Sequence, residues 1–124
     1  MLLTKMEYAF YNILKSKCDE ANMLICPKVR LEDFVKVTDK ENINKWRGHI
    51  RSRHVDFLIC DSKLKIVAAI ELDDNSHNSK QAQKADEFKN NLFSSIGIPL
   101  YRIKTNSSYS DEIDNVINTI KTLS

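Results

Sequence analysis

Three stretches of the chain place apolar residues at the spacing of an amphipathic helix. The first begins at Thr4, where "TKME" fits a capping box, and is predicted to fade near residues 18–22. The second runs from Ser79 to about Ile96, before the glycine and proline of residues 97–99. The third begins at Ser110, a favourable N-cap. The three apolar stripes are Met6, Phe10, Ile13 and Leu14, then Ala85, Phe88, Leu92 and Ile96, then Ile113, Val116, Ile117 and Ile120.

Short apolar runs bounded by polar residues predict four strands. "HVDFLIC" (54–60) and "KIVAAIELD" (65–73) give the clearest signal, with a polar turn between them. "MLICPKV" (23–29) predicts a first strand whose Pro27 implies an edge or an end, and "IPLYRIK" (98–104) predicts a last strand. Residues 30–53 are polar and poor in periodicity, and predict a long excursion. The resulting order, α-β-β-β-α-β-α, describes an α/β fold.

Length and composition predict one soluble domain over residues 1–124. The apolar and charged fractions, 42% and 29%, are ordinary for a globular protein. No apolar run approaches the ~20 residues of a membrane span, and no signal-peptide pattern opens the chain, so we expect a cytoplasmic location and no membrane partner. Cys18, Cys26 and Cys60 lack the spacing of a zinc site, which favours buried thiols over metal ligands or a disulfide.

The alternation of side chains in the two clearest strands predicts where their acids lie. If both apolar sets face one core layer, odd-numbered residues of one strand oppose even-numbered residues of the other, which puts Asp56 on the face of Glu71 and Asp73. A turn centred on residues 63–64 would set Asp56 directly opposite Glu71, and His54 opposite Asp73. The two apolar sets are Val55, Phe57 and Ile59, and Ile66, Ala68, Ile70 and Leu72.

Acids that converge in this way need a compensating charge. Two carboxylates about 5 Å apart repel by roughly 3 kcal/mol at an effective dielectric of about 20. A proton would cancel one charge, and a bound Mg²⁺ or Mn²⁺ would do so better, because Mg²⁺ prefers oxygen ligands and accepts substrate phosphate among them. The alternative is that the acids end exposed strands and only solubilise a turn. This alternative is weakest for Asp56, which lies inside an apolar strand.

Three other features have both a functional and a structural interpretation. The acid-free segment 42–54 interleaves Trp46 with cations, a pattern that suits phosphate contacts and base stacking but also a solvated loop. His77 is either a loop histidine or a general acid or base beside the acids. Glu7 is either the capping-box partner alone or a carboxylate that leans towards the acids. The candidate nucleic-acid contacts of the segment are Lys45, Trp46, Arg47, Arg51 and Arg53.

The residues "VDFLIC…AAIELDDNSH…KADEFKNNLFSSIGIPLYRI" resemble the domain of unknown function family numbered 2726 over nearly the whole chain. They are more distantly similar to the very short patch repair endonucleases and to related "DF…ExDGxxH" domains. All of these belong to the PD-(D/E)XK nuclease superfamily. The resemblance implies a restriction-endonuclease-like core of order α-β-β-β-α-β, with a mixed central sheet flanked by helices and an additional C-terminal helix.

The resemblance also implies roles for individual residues. Asp56 and Glu71 would be the two metal-binding acids, and Leu72 would add its backbone carbonyl to the metal shell. Glu7 would match an acid that many relatives place on the first helix. Asp73 occupies the position where the superfamily usually has a lysine that orients the attacking water and stabilises the phosphate.

Three substitutes for the missing lysine are open. The first is a second metal ion, for which Asp73 would supply a further carboxylate. The second is His77, which matches the histidine of "ExDGxxH", although Asp74 replaces the glycine of that pattern. The third is a lysine from the following helix, either Lys80 or Lys84.

The expected function is a Mg²⁺- or Mn²⁺-dependent DNA endonuclease that hydrolyses phosphodiester bonds in repair or defence. Superfamily nucleases that cut both strands often act in pairs, which allows a homodimer. The missing lysine keeps a second interpretation open, a catalytically inactive module that binds nucleic acid or protein on the same fold. A hydrolase of small molecules fits the acids but leaves the basic segment unexplained. The candidate catalytic residues are Asp56, Glu71, Asp73, His77 and Glu7.

Overall fold

Four strands form one mixed sheet in the structure, a computed structural model that describes residues 2–36, 48, 50–51, 53–74 and 79–123. The strands lie in chain order, with β1–β2 and β2–β3 antiparallel and β3–β4 parallel. Pro27 therefore lies on an edge strand, as predicted. The strands are β1 (Leu24–Arg30), β2 (His54–Cys60), β3 (Ile66–Asp73) and β4 (Leu100–Lys104).

Three helices of the described residues, α1 (Lys5–Glu20), α2 (Lys80–Ile96) and α3 (Tyr109–Leu123), complete the predicted α/β order. The capping box at Thr4 is present, and Ser79 caps α2 by accepting a hydrogen bond from the backbone of Ala82. Gly97 ends α2 with φ of +73°, a conformation that glycine adopts without steric cost. The predicted cap Ser110 is wrong, because α3 begins one residue earlier. Not one of the described helices has the length and apolarity to cross a membrane.

The two faces of the sheet have separate cores. The first core cluster joins α1, α3 and one face of the sheet, and consists of Phe10, Leu14, Cys18, Phe57, Ile59, Ala68, Ile70, Ile103, Ile113, Val116, Ile117 and Ile120. The second core cluster joins α2 to the other face, and consists of Leu31, Val35, Ile50, Val55, Leu58, Ala69 and Phe93. Three of these residues come from the excursion at 30–53, so that segment also contributes to the core. Burial of this apolar surface is the main stabilising contribution to the fold.

The register of β2 and β3 is the one that the parity argument required. Phe57 pairs with Ile70 and Leu58 with Ala69, which corresponds to a turn centred on residues 63–64. Asp61 stabilises this turn, because its Oδ1 accepts hydrogen bonds from the backbone N–H groups of residues 63 and 65. All three cysteines are free thiols, and Cys18 and Cys60 are buried.

Val55 departs from the predicted alternation. It packs in the second core cluster, whereas Phe57 and Ile59 pack in the first. The departure coincides with an irregularity in β1. Pro27 pairs with Phe57 and Val29 with Val55, so Lys28 lies level with Asp56, and its φ is +54°. A positive φ in a non-glycine residue interrupts the regular pleat of a strand.

Candidate functional site

Two carboxylates meet where β2 and β3 run side by side. The paired residues Phe57 and Ile70 place the preceding Asp56 level with the following Glu71. Glu71 reaches α2, where it accepts a hydrogen bond from Lys89, and the charge and hydrogen bond by which Asp56 raises the pKa of Glu71 show that the two acids lie together. Asp56 is held in place by its Oδ2, which accepts a hydrogen bond from the backbone N–H of Leu72 at 2.8 Å. The backbone of β3 thus orients one acid beside the other.

Glu71 is a buried acid whose pKa is raised. It is the one buried charged residue in the described part of the chain, and its side chain is 10% exposed. Burial, with the neighbouring charge of Asp56 as the next cause, raises the pKa of Glu71 to about 7, although Lys89 acts in the opposite direction. A carboxyl group with this pKa is partly protonated at neutral pH, and an added cation nearby would favour its ionised form.

Lys89 of α2 is a member of this site that the sequence analysis missed. Its Nζ donates hydrogen bonds to Oε1 of Glu71 at 2.6 Å and to the backbone carbonyl of His54 at 2.9 Å. The signal was present in the spacing of α2: Lys89 lies four residues before Phe93, the fully buried residue of that helix. The predicted stripe instead included Ile96, which is exposed. The inward face of α2 is therefore rotated relative to the prediction.

A second charged group lies beside the acids. Glu7 of α1 accepts from the backbone N–H of Thr4 and also pairs with Nζ of Lys28 at 2.8 Å, so both of its predicted roles, cap and lateral carboxylate, are compatible with its position. Burial acts to raise the pKa of Glu7, but hydrogen bonds and charge from Lys28 and Thr4 outweigh it, and the pKa is lowered. Lys28, with its positive φ, is thus held between α1 and β2.

His54 lies near both Asp56 and the pair of Glu7 and Lys28, since the charges of all three act on its pKa. Its Nε2 lies 3.9 Å from Oδ1 of Asp56, and its side chain is about half exposed. Burial and then the charge of Lys28 lower the pKa of the imidazole, with a smaller contribution from Lys89. The ring is therefore mainly neutral at pH 7 and has a nitrogen able to accept a proton.

Asp73 lies apart from this pair. Two residues along a strand cover roughly 6.6 Å, and Asp73 is two positions beyond Glu71. It stands beside Lys104 in the parallel register with β4, and none of the hydrogen bonds or ion pairs of the described residues joins its carboxylate to Asp56 or Glu71. Within the described ranges, no three His, Cys, Asp or Glu side chains are arranged to hold a metal ion. The structure brings together two of the three predicted acids.

The remaining predicted residues fall into two groups. His77, Lys45, Trp46 and Arg47 lie outside the described residues. Arg51, Lys80 and Lys84 are exposed, and the two lysines form none of the hydrogen bonds or ion pairs that reach the acid pair among the described residues. Arg53 lies with its guanidinium 4.8 Å from the centre of the Phe88 ring, so it packs on α2.

The donor set suits a hard divalent cation. Asp56 and Glu71 offer carboxylate oxygens from adjacent strands, and Mg²⁺ in proteins commonly binds one or two carboxylates and completes its shell with water or phosphate. The raised pKa of Glu71 points the same way, because burial and then the charge of Asp56 disfavour its ionised form, which a bound cation would favour. The residues present therefore fit Mg²⁺ or Mn²⁺, with the carbonyl of Leu72 as an additional candidate ligand.

Comparison with protein families gives a match over nearly the whole chain. The model of a family described as "Protein of unknown function (DUF2726)" matches residues 1–123. No curated protein and no solved structure matches the chain significantly.

Proposed function

Because the chain belongs to this DUF2726 family, whose description names no activity, we propose a function from the site itself: metal-dependent hydrolysis of phosphodiester bonds in DNA by an endonuclease. The observation that supports it is the pair of Asp56 and Glu71, one of them buried, on adjacent strands. Maintaining two acids in contact costs stability, and a protein that retains such a pair usually uses it.

The acid pair would hold Mg²⁺ or Mn²⁺. When bound, such an ion lowers the pKa of the attacking water and neutralises charge on the phosphate. Asp56 is oriented for this task by the hydrogen bond that its Oδ2 accepts from the backbone of Leu72. Glu71 must lose its proton to bind a cation, so metal affinity and cleavage should increase as the pH rises through about 7.

We further propose that the domain belongs to the PD-(D/E)XK superfamily. The element order and the mixed sheet support this placement, since β3 carries its acid beside the central strand β2 and α2 follows it directly. Fold alone does not establish activity. Substrate contact would come from Lys28, Arg51, Arg53, Lys80 and Lys84, and from the residues predicted from the sequence, Lys45, Trp46 and Arg47. DNA repair or defence is the corresponding biological setting, with a homodimer for cutting both strands.

A second candidate is a catalytically inactive module that binds nucleic acid or protein. The observation that favours it is the ion pair between Lys89 and Glu71, which already compensates one of the two acids without a metal. Asp73 also favours the inactive module, because the PD-(D/E)XK superfamily usually has a lysine at this position. Such a module should bind DNA in a salt-dependent way and be indifferent to Mg²⁺.

A cleavage assay distinguishes the two candidates. Purified protein is incubated with a mixture of single- and double-stranded DNA while Mg²⁺ or Mn²⁺ is titrated. We expect cleavage that depends on the ion and is abolished in Asp56→Asn and in Glu71→Gln. Asp114→Asn is the matched control, because this exposed acid also pairs with a lysine of another helix.

The outcomes are opposed. Equal cutting by the wild type and both site variants, with folding verified by circular dichroism, would remove the metal assignment. DNA binding without cleavage at any concentration of the ion would support the inactive module instead.

A further inference from the structure

The lysine at the acid pair bonds to an oxygen that a metal ion would also use. Nζ of Lys89 lies 2.6 Å from Oε1 of Glu71, within hydrogen-bond distance of an oxygen that is also a candidate metal ligand. A lone pair that accepts a hydrogen bond from an ammonium group cannot at the same time coordinate a divalent ion. Lys89 and a metal ion would therefore compete for Oε1 of Glu71.

Comparison with a second lysine pair shows how far the contact between Lys89 and Glu71 is withdrawn from water. Lys17 and Asp114 join α1 to α3 at 2.7 Å, but the aspartate side chain is 52% exposed and water competes for it. Lys89 and Glu71 are only 17% and 10% exposed. An ion pair withdrawn from water gains little net stability, because desolvation offsets the attraction. Structural stabilisation alone is a weak explanation for placing Lys89 there.

The surroundings of Lys89 favour an exchangeable role. Its second acceptor is the carbonyl of His54, on the strand that carries Asp56, so the ammonium is retained between β2 and β3. A lysine side chain has a long flexible stem and a compact charge, and it can change partners over several ångströms without movement of the helix. Of the lysines in the described residues, Lys89 is the one bonded to the acid pair, and position 73 of β3 is an acid.

We propose that Lys89 is an exchangeable cation of this site, bonded to Glu71 in the metal-free protein, displaced by the divalent ion, and then bonded to a phosphate oxygen of the substrate. The inference rests on the proposed function, since both the ion and the phosphate belong to that reaction. No covalent step is involved. The displaced ammonium adds a positive charge at the phosphate, where negative charge is stabilised during cleavage.

The first test measures metal binding without substrate. Ca²⁺ is titrated into the wild type and into Lys89→Met by isothermal calorimetry at about pH 9, where protons no longer compete for Glu71. Removal of a competing cation should increase the affinity about tenfold. Lys17→Met is the matched control, because it also removes a lysine from an inter-element ion pair and should leave Ca²⁺ affinity unchanged. A lysine that only stabilises the site predicts the opposite result, equal or weaker binding in Lys89→Met.

The second test measures cleavage at saturating Mg²⁺. Lys89→Met should cut DNA about a hundredfold more slowly even when the ion is fully bound, because the charge at the phosphate is lost. Lys89→Arg keeps the charge and should recover part of the rate. Thermal melting of each variant verifies that the fold is retained.

The results separate this inference from the function on which it rests. Ion-dependent cleavage by the wild type, with Lys89→Met equal to it in either affinity or rate, would overturn the exchange and leave the nuclease intact. A wild type that binds no divalent ion would overturn both. Tighter Ca²⁺ binding in Lys89→Met together with slower cleavage supports the exchange.

Discussion

The two faces of the sheet are stabilised by different interactions. Under α1 and α3, the first core cluster packs apolar side chains and aromatic rings, with Phe57 between the rings of Phe10 and Tyr11 at centroid distances of 5.3 and 6.3 Å. Under α2, the second core cluster is continued by the pair of Glu71 and Asp56 and by Lys89. Both central strands, β2 and β3, contribute residues to both regions.

The two faces differ in how their side chains affect stability. Burial of apolar surface contributes to folding directly, at about 25 cal/mol per Å². A buried carboxyl group beside a second acid does the opposite, and the raised pKa of Glu71 is the direct sign of that cost. A domain of this size could fill the same position with an apolar residue. This cost supports the proposal that the acid pair binds a cation.

The largest expected effect tests the apolar face. Phe57→Ala should reduce the free energy of unfolding by about 3–5 kcal/mol, because it removes a fully buried ring and leaves a cavity in the first core cluster. Urea denaturation measures the loss. Leu64→Ala, in the exposed turn between β2 and β3, is the control and should change stability little. A loss in Phe57→Ala as small as that of the control would mean that this face is loosely packed.

The next effect concerns the charged face of the sheet, which carries Asp56, Glu71 and Lys89, and is seen in the pH dependence of stability. Glu71 keeps its proton in the folded state up to about pH 7, whereas in the unfolded chain it loses it near the ordinary value of 4.5. Its contribution to stability is therefore present below pH 4.5 and is lost as the pH rises to about 7. In Glu71→Gln that decline disappears. Between pH 4.5 and about 7, the free energy of unfolding of the wild type should therefore fall by on the order of 3 kcal/mol relative to that of Glu71→Gln.

Denaturation of the wild type and of Glu71→Gln across this pH range measures the difference. His54 acts in the opposite direction in part of the same window, because burial lowers its pKa from 6.5 and its contribution increases with pH. The comparison of the two proteins, rather than either curve alone, isolates Glu71. Parallel curves would show that Glu71 is ionised throughout, and the cost assigned to this face would be wrong.

Much of the difference between the two faces could be predicted from the sequence. The short turn at residues 61–65 and the alternation of two strands were enough to set Asp56 beside Glu71, because a slip of one residue would have moved the apolar set of one strand to the opposite face. The bounds of α2 followed from Ser79 and Gly97, whose capping roles are local. Local chemistry and periodicity thus accounted for the elements and for half of the site.

The other half depends on packing, for which the only local signal is the four-residue spacing of Lys89 and Phe93 on α2. Lys89 reaches Glu71 only because α2 turns Phe93 inward, and the rotation of a helix on a sheet is decided by how the side chains of both layers interdigitate. Lys28 adopts its positive φ within a strand, where propensity predicts a regular extended conformation. The alternation of β3 predicts that Asp73 lies on the same face as Glu71. Asp73 is nevertheless separated from Asp56 and Glu71, because it lies two residues farther along the strand.

The smallest expected effect sharpens the comparison within the charged face, since Asp56 has two separable roles. It charges the pair, and its Oδ2 accepts the hydrogen bond from the backbone of Leu72. Asp56→Asn keeps a carbonyl oxygen for that bond and removes the charge, whereas Asp56→Ala removes both. The alanine variant should be less stable than the asparagine variant by about 1–2 kcal/mol, the cost of leaving a partly buried N–H without an acceptor. Both should lower the pKa of Glu71 towards its ordinary value, which NMR titration of its side-chain carbon would measure. Equal stability of the two variants would show that the bond to Leu72 contributes nothing, and Asp56 would then be held beside Glu71 by β2 alone.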